Sequence, residues 1–274
     1  MPVHTNLVVS RYGRGIIGDF QQTLCSRQRL QRTSLDQRAK MLHRNEAVTG
    51  WCKLAVMNEL LLYTSPRACS TACHVALEES GLVYRAELVR IRSQENRTPE
   101  YLAVNPTGKL PALVTGDEVL TETPAILTFV ADRAAPSVSL LPENSLARYR
   151  ALEWMSFLTS TVHLAFRPLF KPQQFTNNPD RYDAIRARGG EHLRAMLLEV
   201  ERRLDGRDWA LGDDYSVVDP YLLVFHIWSQ RDDIRPHVAE MPNWAAQRRR
   251  IDARPATWRI LEREGITADN VTDP

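Results

Sequence analysis

In the stretch YTSPRACS, Tyr63 to Ser70, an apolar run gives way to helical spacing just where a thiol and a hydroxyl, Cys69 and Ser70, stand side by side. A cysteine in the first turn of a helix meets unpaired main-chain N–H groups and the positive end of the helix dipole. Both favour the thiolate relative to a free thiol titrating near about 8.5. Cys69 is therefore the first candidate for chemistry, with Ser70 as a second donor at the same place. The plainer alternative is a cysteine buried as a small apolar group. Tyr63 ends the preceding strand and is expected to pack inward. Cys73 and His74 follow one turn on, but C-x3-C-H has no second ligand cluster of familiar spacing, so no metal site is expected. A Cys69–Cys73 disulfide along one helix face is poorly directed by the Cβ vectors. Glu122 and Thr123 stand where another helix begins, and free N–H groups with the dipole favour an anion there. Thr121 or Thr123 capping that helix is the structural alternative. Ser216 and Asp219 form an S-x-x-D capping box, which nucleates a helix over Val217 to Trp228 at a cost of about 0.5–2 kcal/mol if either is removed.

The elements that must hold these residues fall into three regions. Residues 1–57 show no sustained periodicity beyond one short arginine-rich helix in QRLQRTSLDQRAKMLHR, and read as an extension. Their arginine-rich, acid-poor composition also resembles a transit peptide, while an apolar core with a small-residue cleavage site is missing. Residues 58–135 alternate element types: a strand over Leu60–Tyr63, a helix over Thr71–Ser80 stopped by Gly81, and a strand over Tyr84–Val89. The helical turn EYLAVNP comes next, then strands at PALV and at Val119–Leu120 across a Gly116-Asp117 turn, then a helix burying Ala125, Ile126 and Phe129. This is the order of a small α/β domain. Residues 136–145, proline-containing and polar, read as a linker. From 146 to 274 strands disappear and apolar residues recur three and four apart. Pro168 is expected to kink or close the first long helix, and Gly189-Gly190 to interrupt the second.

Composition excludes several classes. With 274 residues and 43% apolar content the chain can bury one or two cores, and no apolar run is long enough to span a membrane. The net charge of +2 conceals an asymmetry, +6 over residues 1–57 and −4 over the rest, so the body lacks the basic field a nucleic-acid binder needs. Four cysteines in a chain this long do not make a secreted disulfide framework, and a reducing cytoplasm is the expected compartment.

Five motifs in consistent order carry the chain further than fold class: YTSPRACS, NPTGKLPAL from Asn105 to Leu113, TETPAIL, VHLAFRPLF, and GDDYSVVDPYL followed by DARPATWRILEREG. Over about residues 59–265 the sequence resembles the bacterial cytosolic glutathione transferases of the beta class. The resemblance implies a thioredoxin-like α/β N-terminal domain followed by an all-α domain, with glutathione as co-substrate, a small hydrophobic electrophile as second substrate and a homodimer as assembly. It implies a cis bond at Pro111, so that the main chain of Leu110 pairs with the cysteinyl backbone of glutathione like an added strand. Thr123 then receives the γ-glutamyl carboxylate and Glu122 the ammonium. Ser160, Thr161, Val162 and His163 approach from the helical domain, with His163 facing the thiol as hydrogen-bond partner or proton acceptor. The acceptor pocket is expected between the domains, near residues such as Phe166.

Two positions depart from the family pattern. The lysine that follows the histidine is Leu164 here, and the basic residue expected in the loop RIRSQENRTPEY is Gln94 or Glu95, with Arg92 and Arg97 as possible substitutes. The resulting expectation is a transferase that activates the glutathione thiol. A thiol–disulfide reductase or dehalogenase of the same fold and a non-catalytic ligand-binding protein are the alternatives.

Overall fold

The computed structural model describes residues 60–143 and 145–267. The expected extension and its arginine-rich helix lie outside them. A four-stranded sheet is built from β1 (Leu60–Thr64), β2 (Tyr84–Leu88), β3 (Ala112–Thr115) and β4 (Glu118–Thr121) in the order β2-β1-β3-β4. β1 runs parallel to β2, with Leu62 opposite Ala86, and antiparallel to β3, with Leu62 opposite Leu113. Alternation along β1 sends Leu60, Leu62 and Thr64 into the core. Full burial of Leu62 or Leu113 contributes roughly 1.5–3 kcal/mol each. Tyr63 falls on the other face, half-buried and edge-on to Tyr101 with centroids 5.6 Å apart, so it does not pack into the core as expected. β2 ends one residue early. Val89 is buried beyond it and donates its N–H to the Thr64 carbonyl at 2.8 Å.

Three helices belong to this layer: α1 (Ser70–Ser80), α2 (Pro99–Val104) and α3 (Thr123–Arg133). Gly81 ends α1 in the left-handed conformation, φ 72°, that glycine adopts without cost. On α3 the buried side chains are Ile126, Leu127 and Val130, while Ala125 is exposed and Phe129 only half-buried. The expected stripe was rotated because Thr123, buried at the helix start, sets the inward face three residues before Ile126.

The helical layer comprises α4 (Leu146–Phe157), α5 (His163–Phe170), α6 (Tyr182–Arg203), α7 (Val218–Ser229), α8 (Pro242–Asp252) and α9 (Pro255–Arg263). Between α4 and α5 the chain makes a π-helical turn, Leu158–Val162. Thr159 Oγ1 donates to the Met155 carbonyl at 2.8 Å and Ser160 Oγ to the Ser156 carbonyl at 2.7 Å, so two successive hydroxyls compete with main-chain N–H groups and widen the helix. Pro168 sits inside α5, which continues to Phe170. Gly189 and Gly190 do not interrupt α6. They are buried, and a Cβ on Gly189 would come within 2.5 Å of Pro168 Cβ, while one on Gly190 would collide with the His237 ring. Here glycine permits close approach rather than a bend.

α1 is buried on almost every side, because the sheet, α3, α7 and α9 all pack around it. The end of α9 is fastened to it by a carboxylate that sequence reasoning missed. Glu264 Oε1 accepts from Thr64 Oγ1 at 3.0 Å and bonds His74 Nδ1 at 2.8 Å, and Oε2 accepts from Thr71 Oγ1 at 2.6 Å. His74, weighed beside Cys73 as a metal ligand, is committed to this network instead. Arg254 adds a bidentate pair to Glu79 at 2.6 and 2.9 Å. At the start of α7 the capping box closes, with Ser216 N donating to Asp219 Oδ2 at 2.9 Å, although the Ser216 hydroxyl accepts from Val218 N rather than nearer Asp219. Asp219 also accepts from Ala210 N at 2.9 Å and Gln247 Nε2 at 3.1 Å, while burial, the largest influence, pushes its carboxyl up to about 6.

Two stability measurements check this packing. Gly189→Ala should lower stability in urea by about 1–2 kcal/mol despite alanine's better helix propensity, since Pro168 cannot yield; a stabilised variant would contradict the close approach. Asp219→Ala should cost about 3–5 kcal/mol, more than a simple cap, because buried N–H groups of Ala210 and Ser216 and the Gln247 amide lose their acceptor together.

Candidate active site

Three segments converge where α1 begins. The first is the turn before α1, in which Arg67 takes a left-handed φ of 62° and its carbonyl accepts from Trp228 Nε1 at 2.5 Å, anchoring the turn to α7. Cys69 caps α1 and is buried, and its Sγ lies 3.7 Å from His163 Nδ1. The π turn delivers the histidine: it precedes His163 directly and sets Thr159 Oγ1 3.1 Å from the Tyr221 hydroxyl, a group that also acts on the Cys69 thiol. Trp228 stands edge-on to the His163 ring, centroids 5.0 Å apart. Neither Tyr221 nor Trp228 was singled out from sequence. Their place on the helix that the S-x-x-D box opens, Tyr221 in its first turn and Trp228 in its last, was the signal available.

The second segment is the loop before β3. Asn96 Nδ2 donates to the Gly108 carbonyl at 2.7 Å, and Tyr101 Oη and Asn105 Nδ2 both donate to the Lys109 carbonyl, at 2.6 and 2.8 Å. Asn105 Oδ1 accepts from the main chain and hydroxyl of Thr107, closing the turn. With its neighbours pinned, Leu110 precedes a cis bond to Pro111, as expected, and among the described residues its own N–H and C=O have no partner. The third is the start of α3. Glu122, exposed, takes φ 68° and ψ 122°, a conformation rarely adopted by a side-chain-bearing residue, and no side chain caps the helix. Neither Thr121 nor Thr123 is the cap, and the Thr123 hydroxyl is among the groups that act on the Cys69 thiol.

Other expected participants are arranged differently. The Ser70 hydroxyl is not free to donate to a ligand sulfur: it is buried, accepts from Ser65 N at 2.9 Å and gives its proton to Ser65 O at 3.2 Å. Val162 is wholly buried in the core, so its side chain cannot meet a ligand. Ser160 is exposed with its proton on Ser156 O, and Thr161 is half-buried. Phe166 belongs to the core, stacked between Phe170 and Phe225, and the half-buried Phe170 and Trp228 are the aromatics nearer the cleft. Arg97 is spent on the Thr107 carbonyl at 3.2 Å.

The electrostatics overturn one expectation. Burial, the dominant influence, pushes the Cys69 thiol up to about 12, outweighing hydrogen bonds from Tyr221 and Thr123, so the site holds a thiol rather than a thiolate. Cys73 is raised for the same reason, and both cysteines are free. Burial also lowers His163 to about 4, assisted by the charges of Arg167 and Lys109. A neutral S–H facing a neutral imidazole is a donor–acceptor pair able to bind a second sulfur.

The comparisons agree with this architecture. The sequence model described as "Glutathione S-transferase, N-terminal domain" matches residues 67–133. The chain is 31% identical over 210 residues to glutathione S-transferase GstA of Escherichia coli O157:H7, covering 75% of this chain and 98% of that protein. A sphingomonad glutathione S-transferase complexed with glutathione superimposes with a TM-score of 0.65 at 37% identity, covering 76% of this chain and all (100%) of that one. A beta-class enzyme of Sphingomonas chungbukensis gives 0.64 at 34% identity, again over 76% of this chain and 100% of that one. The chain belongs to the glutathione S-transferase family.

Iodoacetamide should alkylate Cys69 slowly at pH 7 and faster only as the pH rises well above 9, whereas rapid labelling at neutral pH would mean a stabilised thiolate. His163 should titrate near 4 instead of 6.5. Because the unfolded chain takes up that proton first, the stability linked to the neutral ring is present above about 6.5 and lost as pH falls through 4.

Proposed function

We propose that this protein is a cytoplasmic glutathione transferase of the beta class that activates the glutathione thiol for attack on small apolar electrophiles. The observation that carries the reading is the Cys69 Sγ–His163 Nδ1 approach of 3.7 Å beside an unpartnered Leu110 main chain. In this reading residues 58–135 form the glutathione-binding domain, 136–145 the linker and 146–274 the helical domain, with 1–57 as an extension.

Glutathione lies along Leu110 as a short antiparallel strand, exchanging main-chain hydrogen bonds with its cysteinyl unit next to Pro111. Its γ-glutamyl carboxylate sits at the open N-terminus of α3, on the Thr123 N–H, and its ammonium faces Glu122. That orientation brings its sulfur to the start of α1. There the neutral Cys69 S–H donates to the developing glutathione thiolate, while His163 hydrogen-bonds to the same sulfur. The low basicity of the histidine supports hydrogen bonding over full proton acceptance. The thiol proton passes to solvent, and the thiolate attacks the electrophilic carbon as halide leaves with the bonding pair or as an epoxide opens and its oxygen takes up a proton from solvent. Rate comes from a stabilised sulfur anion and from holding both partners together. Main-chain contacts of Ser160, Thr161 and Val162 line the helical side of the cleft. Among the described residues no helix is long and apolar enough to cross a membrane. Exposed Leu146, Tyr149 and Leu152 on α4 support a two-fold homodimer.

Calorimetry with glutathione, together with conjugation of an aryl halide, tests the reading. Cys69→Ala should lower kcat/KM for conjugation by about 10–100-fold, the worth of one hydrogen bond to a charged group, and abolish any reduction of glutathionyl disulfides. Absence of both binding and conjugation in the unsubstituted protein would leave a non-catalytic ligand-binding role.

A further inference from the structure

Two cations, Arg167 and Lys109, act on the His163 ring that faces Cys69, and among the described residues neither is paired with a carboxylate. Arg167 follows His163 by four residues on α5, so the two side chains share a helix face. Its guanidinium is exposed and reaches only a neutral partner, Gln174 Oε1, at 3.4 Å. Lys109 comes from a different element, the loop before β3. Its main chain is pinned by Tyr101 and Asn105, it directly precedes Leu110, and its side chain is exposed. Among the described residues neither takes part in an ion pair, although arginines elsewhere on these helices are matched to carboxylates, as Arg202 and Arg203 are to Glu199. Both charges act on the His163 ring, after burial, to lower its proton affinity. Beside them Leu164 is 49% exposed, and half-buried Phe170 and Trp228 meet edge-on at 5.4 Å, with the Asp233-paired guanidinium of Arg231 4.6 Å from the centre of the Phe170 ring. Apolar side chains beside two uncompensated positive charges fit a molecule with an apolar body and one anionic group.

We infer that Arg167 and Lys109 select the acceptor, so that the electrophile conjugated here carries a carboxylate or sulfonate held between guanidinium and ammonium while its reactive carbon faces the sulfur. The inference rests on the transferase reading above and names the substrate class for it.

A matched pair of acceptors tests it: 4-chloro-3-nitrobenzoate and the neutral 4-chloro-3-nitrobenzamide, at saturating glutathione, each rate divided by the uncatalysed one. In both, a sulfur–carbon bond forms, the carbon–chlorine bond breaks, chloride leaves with the electron pair and the thiol proton passes to buffer. The benzoate-to-amide ratio of kcat/KM should exceed roughly ten and fall several-fold as salt rises from about 0.01 to about 1 M, since screening shortens the reach of exposed charges. Arg167→Gln and Lys109→Gln should each lower the ratio by roughly tenfold. A ratio near one, or one indifferent to salt and to both substitutions, overturns the inference while conjugation itself stands. If Lys109→Gln raises the KM for glutathione and leaves the ratio alone, the lysine serves the tripeptide and the paired assignment is overturned. Turnover of neither acceptor sinks the transferase reading, and the inference with it.

Discussion

A helix without a solvent face constrains this protein more than any other feature. From Ser70 to Leu77 every residue of α1 is buried, so the sheet and the helical layer share it as a common core element. Its position is then fixed from both layers. Glu264 draws Thr64, Thr71 and His74 to one carboxylate, and Trp228 holds the turn before it through the Arg67 carbonyl. Removing one member of such a buried group leaves the others desolvated and unpaired, which makes the arrangement close to all-or-none.

The same burial decides the chemistry of the site. A helix N-terminus stabilises an anion by at most about 2 kcal/mol. A thiol pushed to about 12 reflects roughly 4 kcal/mol against the thiolate, so desolvation wins. Cys69 and His163 are consequently both neutral at physiological pH, and the pair is suited to hosting a sulfur anion brought by a ligand rather than creating one from Cys69. The charges that remain belong to exposed groups: Glu122, which acts on Cys69, and Lys109 and Arg167, which act on His163.

Much of this was legible in the sequence. The order of strands and helices and Gly81 as a stop followed from turn chemistry and periodicity, while the cis bond before Pro111 and the approach of His163 to Cys69 followed from the resemblance that the ordered motifs carry. What escaped has a common cause. Periodicity describes a helix with one wet face, and α1 and α7 have none, so Tyr221 and Trp228 carried no distinguishing pattern. The thiolate expectation for Cys69 set the dipole above burial, the alternative that the packing around α1 turns out to favour. The Gly189-Gly190 pair was read through propensity, whereas its meaning lies in Pro168 and His237, residues distant in sequence. The π turn arises from hydroxyl-to-carbonyl bonds of Thr159 and Ser160 that a binary apolar pattern does not register.

The Trp228 indole touches both halves of the cleft, bonding the turn before Cys69 through its N–H and meeting the His163 ring with its edge. An indole so placed is a built-in optical probe. Its emission depends on the carbonyl it binds and on the imidazole at its edge, and any molecule that shifts either one changes the colour or yield of the light. Occupancy of this cleft can thus be followed in the unlabelled protein, from the part of its emission that a Trp228→Phe variant lacks, since five other tryptophans emit with it.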